Sequence, residues 1–460
     1  MTRSATRKPI WGWYFFDWAS QPYSTLLLTF IFSPYFAEVA RNHYISQGFT
    51  HSQAAAQAQS YWGWGLAAVS LAVALWAPIL GALADSSGRL MTWILGFSGL
   101  YVVGALGLWE LRPTDPNLLL AVIAFGLGFV GMEFATIFTN ALLPRLAKSE
   151  EAGALSGSGF AFGYLGGVLA LAVMLIFFAE NASTGRTFLG REPLFGLDAT
   201  LREGTRFAGP FTAIWYLLFM VPFLAWQPTP PPQSGPALAF GQSLSKLRQL
   251  LRGLRHRPSL TAYLGSSLLY RDALNALYGF GGVYASGVLG WSITSIGVFG
   301  VISAITAAIA CWIGGKLDQK YGPKAVIRAT IWVLIGVCVA LVFMDRQSFF
   351  GLNLAPASPL VDRVFYLCGA LIGGAGGMLQ AASRTMMVRH TKVSEAAQSF
   401  GLYALSGKVT SFLAPALIAL VTGLSGSPRL GIAPLIGLFL LGLFLLKRVD
   451  ATGDINFAVV

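Results

Sequence analysis

The chain has 460 residues, of which 55% are hydrophobic and only 11% charged, against roughly a quarter charged in an ordinary soluble domain. Apolar runs of about 18 residues or more recur along almost its whole length, which excludes a sizeable soluble domain and places the chain in a bilayer. The net charge of +12 is spread over short segments between those runs with no aromatic-interleaved basic face, so it excludes a nucleic-acid partner and reads as membrane topology.

Counting the runs predicts twelve spans, at 12–39, 60–83, 91–110, 118–142, 155–179, 210–226, 259–286, 292–314, 325–344, 362–387, 399–422 and 431–447. The first is preceded by Arg3, Arg7 and Lys8, which favours a cytoplasmic N-terminus. It is too long for a signal-peptide core and is read as an uncleaved span. An even count returns the C-terminus to the cytoplasm, and the segments then placed inside carry about twice as many Lys and Arg as those outside.

In chain order, the first span carries Asp17 among Trp11, Trp13, Tyr14 and Trp18, an aromatic interface belt, and then Tyr23. The second ends in GALADSSGR, from Gly81 to Arg89. Glu133 and Asn140 lie in the fourth, and Gly159, Gly163, Tyr164, Gly166 and Gly167 in the fifth, where small residues let helices approach closely. Residues 180–209 form the longest outer loop and include the glycosylation-type triplet Asn181-Ala182-Ser183. QPTPPPQSGP, 227–236, cannot continue a helix and breaks the chain into halves. Beyond it Leu244, Leu247, Leu250, Leu251 and Leu254 alternate with Lys246, Arg248, Arg252 and Arg255, the pattern of a basic amphipathic helix on the inner leaflet. This gives 1–226 as an N-terminal six-helix bundle, 227–258 as linker and 259–460 as a C-terminal six-helix bundle.

In the second half, the seventh span holds Tyr270, Arg271, Asp272 and Asn275. The eighth ends in GGKLDQKYGPK, from Gly314 to Lys324. The tenth contains Gly373, Gly374, Gly376 and Gly377, then Gln380 and Arg384; the eleventh contains Tyr403 and Lys408. Cys311, Cys338 and Cys368 sit inside apolar runs and read as packing residues. The four histidines, His43, His51, His256 and His390, are scattered, so no metal or cofactor is expected.

The two hairpins echo one another, once in each half, which is the sign of an internally duplicated membrane bundle. In the first, Gly81 and Gly88 permit close approach and a turn, Asp85 offers a carboxylate to a helix N-terminus or cation, and Arg89 adds a positive charge. In the second, aligning on Gly322 puts Gln319 where the acid would be and Asp318 one place early. The first pattern resembles the signature loop between the second and third helices of the major facilitator superfamily. That resemblance implies two six-helix bundles and a loop that latches against the eleventh helix. Four further segments, FFDWASQPYSTLLLTFIFSPYF, GFAFGYLGG, REGTRFAGPFTAIWYLLFMVPF and MLQAASRTMMVRH followed by FGLYALSGK, are similar to the vacuole-effluxer-like branch, which implies fungal relatives exporting amino acids from the vacuole and bacterial relatives. QAASR matches that branch's signature and so implies a binding or gating role for Arg384.

Ionisable residues inside a bilayer cost about 2.5 to 3.5 kcal/mol each on insertion scales and mark function. Arg271, Asp272 and Lys408 fall near mid-depth and Glu133 on the cytoplasmic side of centre, so these four are the leading candidates. Arg271 and Asp272, neighbours on a helix, point about 100° apart and are each expected to meet a partner on another helix. Pairing Glu133 or Asp272 with Lys408 or Arg271 would make a mixed-sign cavity suited to an amino acid. Polar candidates for its lining are Tyr23, Asn140, Tyr164, Tyr270, Asn275 and Tyr403. A buried carboxylate freed from its cation is a usable proton carrier, which nominates Asp272 and Glu133.

The expectation is a monomeric, all-α, twelve-helix secondary transporter of a small zwitterionic solute, with protons as coupling ion, in a bacterial inner membrane with both termini cytoplasmic. The competing readings are an exporter of lipophilic compounds, a passive channel and an integral-membrane enzyme. Against the last, no P-loop, HExxH, GxSxG or clustered histidine occurs.

Overall fold

The computed structural model describes residues 7–228, 252–291, 293–355 and 358–453. The predicted amphipathic helix after the linker lies outside them, except for its end at Arg252, Leu254 and Arg255. Among the described residues the chain makes twelve helical passages. The first runs through Arg7–Pro22, a π-helical turn at Tyr23–Phe30, and Phe32–Ser46. The second to sixth are His51–Ser87, Leu90–Gly107, Leu118–Asn140, Ala152–Phe177 and Ala208–Trp226. The seventh to tenth are Pro258–Gly287, Ile293–Tyr321, Pro323–Val342 and Leu360–Arg389. The eleventh is split into Ala396–Lys408 and Leu413–Ser425, and the twelfth is Ala433–Leu446.

Nine helical stretches among the described residues are long and apolar enough to cross a membrane. The first passage is divided by its π-helical turn, the seventh carries Arg271 and Asp272, and the twelfth is the shorter apolar helix that ends at Leu446. Outside the helices, Ser348–Phe349 and Leu352–Asn353 form a two-stranded hairpin turned through positive φ at Phe350 and Gly351, as a tight hairpin requires.

The described residues form two compact units. The first holds the chain up to Val73, Gly88–Thr139, and Phe162 onward to the linker. Its first and sixth helices pack on one another, as do its third and sixth. Pro22 accounts for one detail of that packing: its ring denies the Trp18 carbonyl its i+4 donor, and that carbonyl accepts the Trp215 indole N–H at 3.2 Å instead. Gly163, Gly166 and Gly167 of the fifth helix lie against Asp17, Trp18 and Thr25 of the first; a Cβ on Gly166 or Gly167 would come within 2.9 Å of its neighbour. The 178–207 loop is pinned by Glu180, which accepts the Thr205 hydroxyl at 2.7 Å and lies 3.0 Å from Arg202 Nε. Burial raises the Glu180 carboxyl above its ordinary range despite those partners.

The second unit holds Ala74–Ser87, Asn140–Ala161 and the chain after the linker. Its tenth helix packs on the eighth and ninth, and its seventh packs on the eleventh and twelfth.

The eleventh helix departs from the continuous span expected at 399–422. Residues 409–412 form turns rather than helix. Pro415 supplies the reason: it has no N–H to give the carbonyl four residues back and its ring crowds that carbonyl, whereas the first turn of a new helix tolerates it. The second half accordingly starts at Leu413, with Pro415 in its first turn.

Candidate functional site

Each hairpin links two helices, from Ser87 to Leu90 and from Tyr321 to Pro323. Gly88 and Gly322 both have positive φ, +62° and +82°, a conformation an L side chain rarely takes. The Asp85 carboxylate accepts the backbone N–H of Ala397 at 3.0 Å and of Gln398 at 2.8 Å, the first two residues after Ala396 in the first turn of the eleventh helix. Those N–H groups have no intrahelical partner, and the helix dipole favours a negative charge there. The crossing is close because its residues are small: a Cβ on Gly81 would lie 2.4 Å from the Ala397 carbonyl oxygen, and one on Gly401 2.3 Å from that of Ala77.

The second copy has a different mode of contact. Asp318 is buried against the first turn of the fifth helix, where a Cβ on Gly153 would sit 2.7 Å from its Oδ1, yet neither carboxylate oxygen has a hydrogen-bond partner. The eighth and fifth helices touch through Gly153, Gly157 and Gly315, with Gly157 against the Cys311 carbonyl. Gly314 packs on Met378. Lys324 binds the carbonyls of Lys447 and Val449 after the twelfth helix, at 3.2 and 2.6 Å. Among the described residues, therefore, only the first copy makes the carboxylate-to-helix clasp.

Arg384 does not reach for the interface; only 2% of its surface is exposed. Its Nε donates to the Ser156 hydroxyl at 2.9 Å, Nη2 to the Ser156 carbonyl at 2.7 Å and Nη1 to Asn140 Oδ1 at 3.1 Å. The guanidinium also lies 4.1 Å from the Phe160 ring centroid. Ser156 in turn donates to the Ala381 carbonyl. Asn140, expected as a lining residue, thus shares the Arg384 guanidinium with Ser156 inside the second unit. Gln380, one turn before Arg384, is half-buried.

Deeper in the seventh helix, Arg271 Nη1 donates to the Tyr403 carbonyl at 3.0 Å, with the guanidinium 4.2 Å from that ring and packed on Gly407. Asp272, 2% exposed, accepts the Ala414 N–H at 3.0 Å on Oδ2. Both neighbours do meet partners on another helix, but Asp272 meets a backbone N–H instead of the expected cation. An exposed helix start in the bilayer needs an acceptor, and the carboxylate provides it.

Lys408, half-buried, ends the first half of the eleventh helix. Tyr270 shares a hydrogen bond with Ser383 at 2.8 Å, and Asn275 is exposed. In the first unit Tyr23 is fully buried, with its hydroxyl on the Phe125 carbonyl at 2.6 Å, a packing role that satisfies a backbone group. Asp17, Glu133 and Tyr164 are half-buried.

A family model described as "Vacuole effluxer Atg22 like" matches residues 5–456. The MFS-type transporter YxiO of Bacillus subtilis is 24% identical over 446 residues, 95% of this chain and 94% of its own length. Autophagy-related protein 22 of Cryptococcus neoformans is 23% identical over 301 residues, 64% of this chain and 50% of its own, so the chain spans about half the length of that fungal relative. Among solved structures, the human organic anion transporter MFSD10 superposes with a TM-score of 0.69 at 16% identity, covering 97% of this chain and 100% of that one. FucP in its outward conformation superposes with 0.66 at 14% identity, covering 96% and 99%. At such identities the likeness shows the fold.

Proposed function

This chain belongs to the Atg22-like vacuole effluxer family of major facilitator superfamily transporters, and from that premise we propose that it carries a small zwitterionic solute, an amino acid or a close metabolite, by proton-coupled alternating access. It is a multi-pass membrane transporter and not an enzyme, as its homologues are. The finer reading rests chiefly on one observation: Arg271, Asp272 and Lys408 place both signs of charge deep in the seventh and eleventh helices. At 1.5 Å per residue, Arg271 lies about 20 Å along its helix, in a core about 30 Å thick.

Arg271 spends one N–H on Tyr403, and its planar fork suits a carboxylate. Lys408 supplies a second cation. Asp272 and Glu133 are the carboxylates that would carry the proton. One proton driven by about 100 mV and about one pH unit supplies roughly 3.7 kcal/mol, a gradient of several hundredfold. The Asp85 clasp lies at the hairpin end, which we place on the cytoplasmic side of a bacterial inner membrane. The working unit is the monomer.

A thermal-shift screen of purified protein against amino acids tests the solute class. A ligand at about a hundred times its Kd stabilises by about 2.7 kcal/mol, and that shift is expected to vanish in Lys408→Ala and Arg271→Ala. Stabilisation by lipophilic compounds alone, indifferent to both substitutions, would replace this reading with lipophile export.

A further inference from the structure

The break in the eleventh helix and the partner of Asp272 belong together. In an unbroken helix the Ala414 N–H would bond to the Thr410 carbonyl, four residues back. Here the Thr410 carbonyl accepts the Leu413 N–H at 2.7 Å, and Ala414 gives its N–H to Asp272. The carboxylate thus stands where a helix carbonyl would be and holds the second half of the helix in its displaced position. The other oxygen, Oδ1, is buried with no hydrogen-bond partner, and so is the Thr410 hydroxyl in the turn itself.

The surrounding charges do not settle the carboxylate. Arg271 is turned to Tyr403. The second half of the eleventh helix and the twelfth helix contain no ionisable residue. The charges of the tenth helix, Asp362, Arg363, Arg384 and Arg389, lie toward its two ends. Lys316, Asp318 and Lys320 of the eighth helix, and Arg255 and His256 before the seventh, lie toward the hairpin end. Lys408 ends the preceding half-helix, and the hydrogen bond that Asp272 accepts comes from the Ala414 N–H. An isolated buried carboxylate is costly as an ion and is relieved by taking up a cation.

We propose that Asp272 is the coupling carboxylate, that it takes its proton on Oδ1, and that protonation releases the start of the second half-helix. Building on the proton-coupled reading above, this assigns the coupling to Asp272 in preference to Glu133 and gives it a mechanical output. The proton comes from water on one side, forms the Oδ1–H bond and returns to water on the other. While Asp272 is charged, its bond to Ala414 N–H is charge-assisted and roughly twice as strong as a neutral one. Once neutralised, the grip weakens, and the second half-helix is free to hinge about the 409–412 turn, which Lys408 borders.

Hydrogen exchange in nanodiscs, with no solute added, tests this apart from the solute assignment. After correction for intrinsic exchange, the peptide spanning 409–416 is expected to lose protection at least about threefold as pH falls, while Asp272→Asn, which keeps an acceptor for Ala414 but does not titrate, shows no change. Sodium at constant pH is expected to have no effect. In proteoliposomes Asp272→Asn is expected to lose accumulation driven by a pH gradient. Wild-type pH dependence of that peptide in Asp272→Asn, a response to sodium, or retained pH-driven accumulation would overturn the proposal.

Discussion

Two carboxylates grip the two halves of one helix: Asp85 holds the first turn of 396–408 and Asp272 the first turn of 413–425. Removing Asp85 leaves two N–H groups without an acceptor, at about 1 to 3 kcal/mol each where buried. Asp85→Ala is therefore expected to slow solute exchange at least about tenfold, the rate equivalent of about 1.4 kcal/mol, while Asp318→Ala, which strips no N–H of its partner, costs much less. Equal losses in a counterflow assay of the two variants would contradict the inequality of the hairpins. Asp85 stood out in the sequence through its spacing from Gly81, Gly88 and Arg89, although it lies in the last turns of the second helix. The partner of Asp272 did not: its identity depends on a neighbouring helix being broken, and hydropathy carries no record of that. A third carboxylate gives a pH signature. Glu180 titrates above its ordinary range because it is buried, so its contribution to stability is present at low pH and is lost as pH rises through the carboxylate range. The Tm of the wild-type protein relative to Glu180→Gln is expected to fall as pH rises through and above the ordinary carboxylate range; parallel curves would show that the shift is absent.

At the scale of elements, glycine at the crossings and proline at the break account for most of the departures from regular helices. The crossing at Gly81 and Gly401 leaves no room for a Cβ, because the nearest atoms are backbone. Gly401→Val is expected to force the second and eleventh helices apart and to raise the exchange of the Ala397 and Gln398 amides, since neither backbone can yield as a side chain does. Unchanged protection there would rule out the tight crossing. Pro415→Ala restores an N–H and removes the crowding of the preceding turn, worth about 3 kcal/mol to a continuous helix. It is expected to raise Tm and slow turnover, read by thermal shift and counterflow; a faster carrier would mean that the break serves no purpose. Pro415 was visible in the sequence, but a proline within an apolar run signals several outcomes in a membrane, from a kink to a restart, and the run alone reads as one span. The glycines of the fifth and tenth helices were legible as contact residues, and their partners were not.

For the molecule as a whole, the twelve passages could be read because a bilayer demands some twenty apolar residues for each and the sequence supplies them at intervals. The grouping of those passages was harder to foresee. Residues 74–87 and 140–161 cluster with the chain after the linker, because the Asp85 clasp, the Arg384 hydrogen bonds and the glycine contacts tie them there. Contacts of that kind must be broken and remade if the chain alternates between two states, as the family fold implies. Counterflow in proteoliposomes tests this most directly: vesicles preloaded with unlabelled amino acids are expected to accumulate the labelled compounds transiently above equilibrium, saturably, with the overshoot lost in Lys408→Ala. Labelled uptake that rises linearly with concentration and is not stimulated by solute on the far side would contradict carrier action and leave a passive pore.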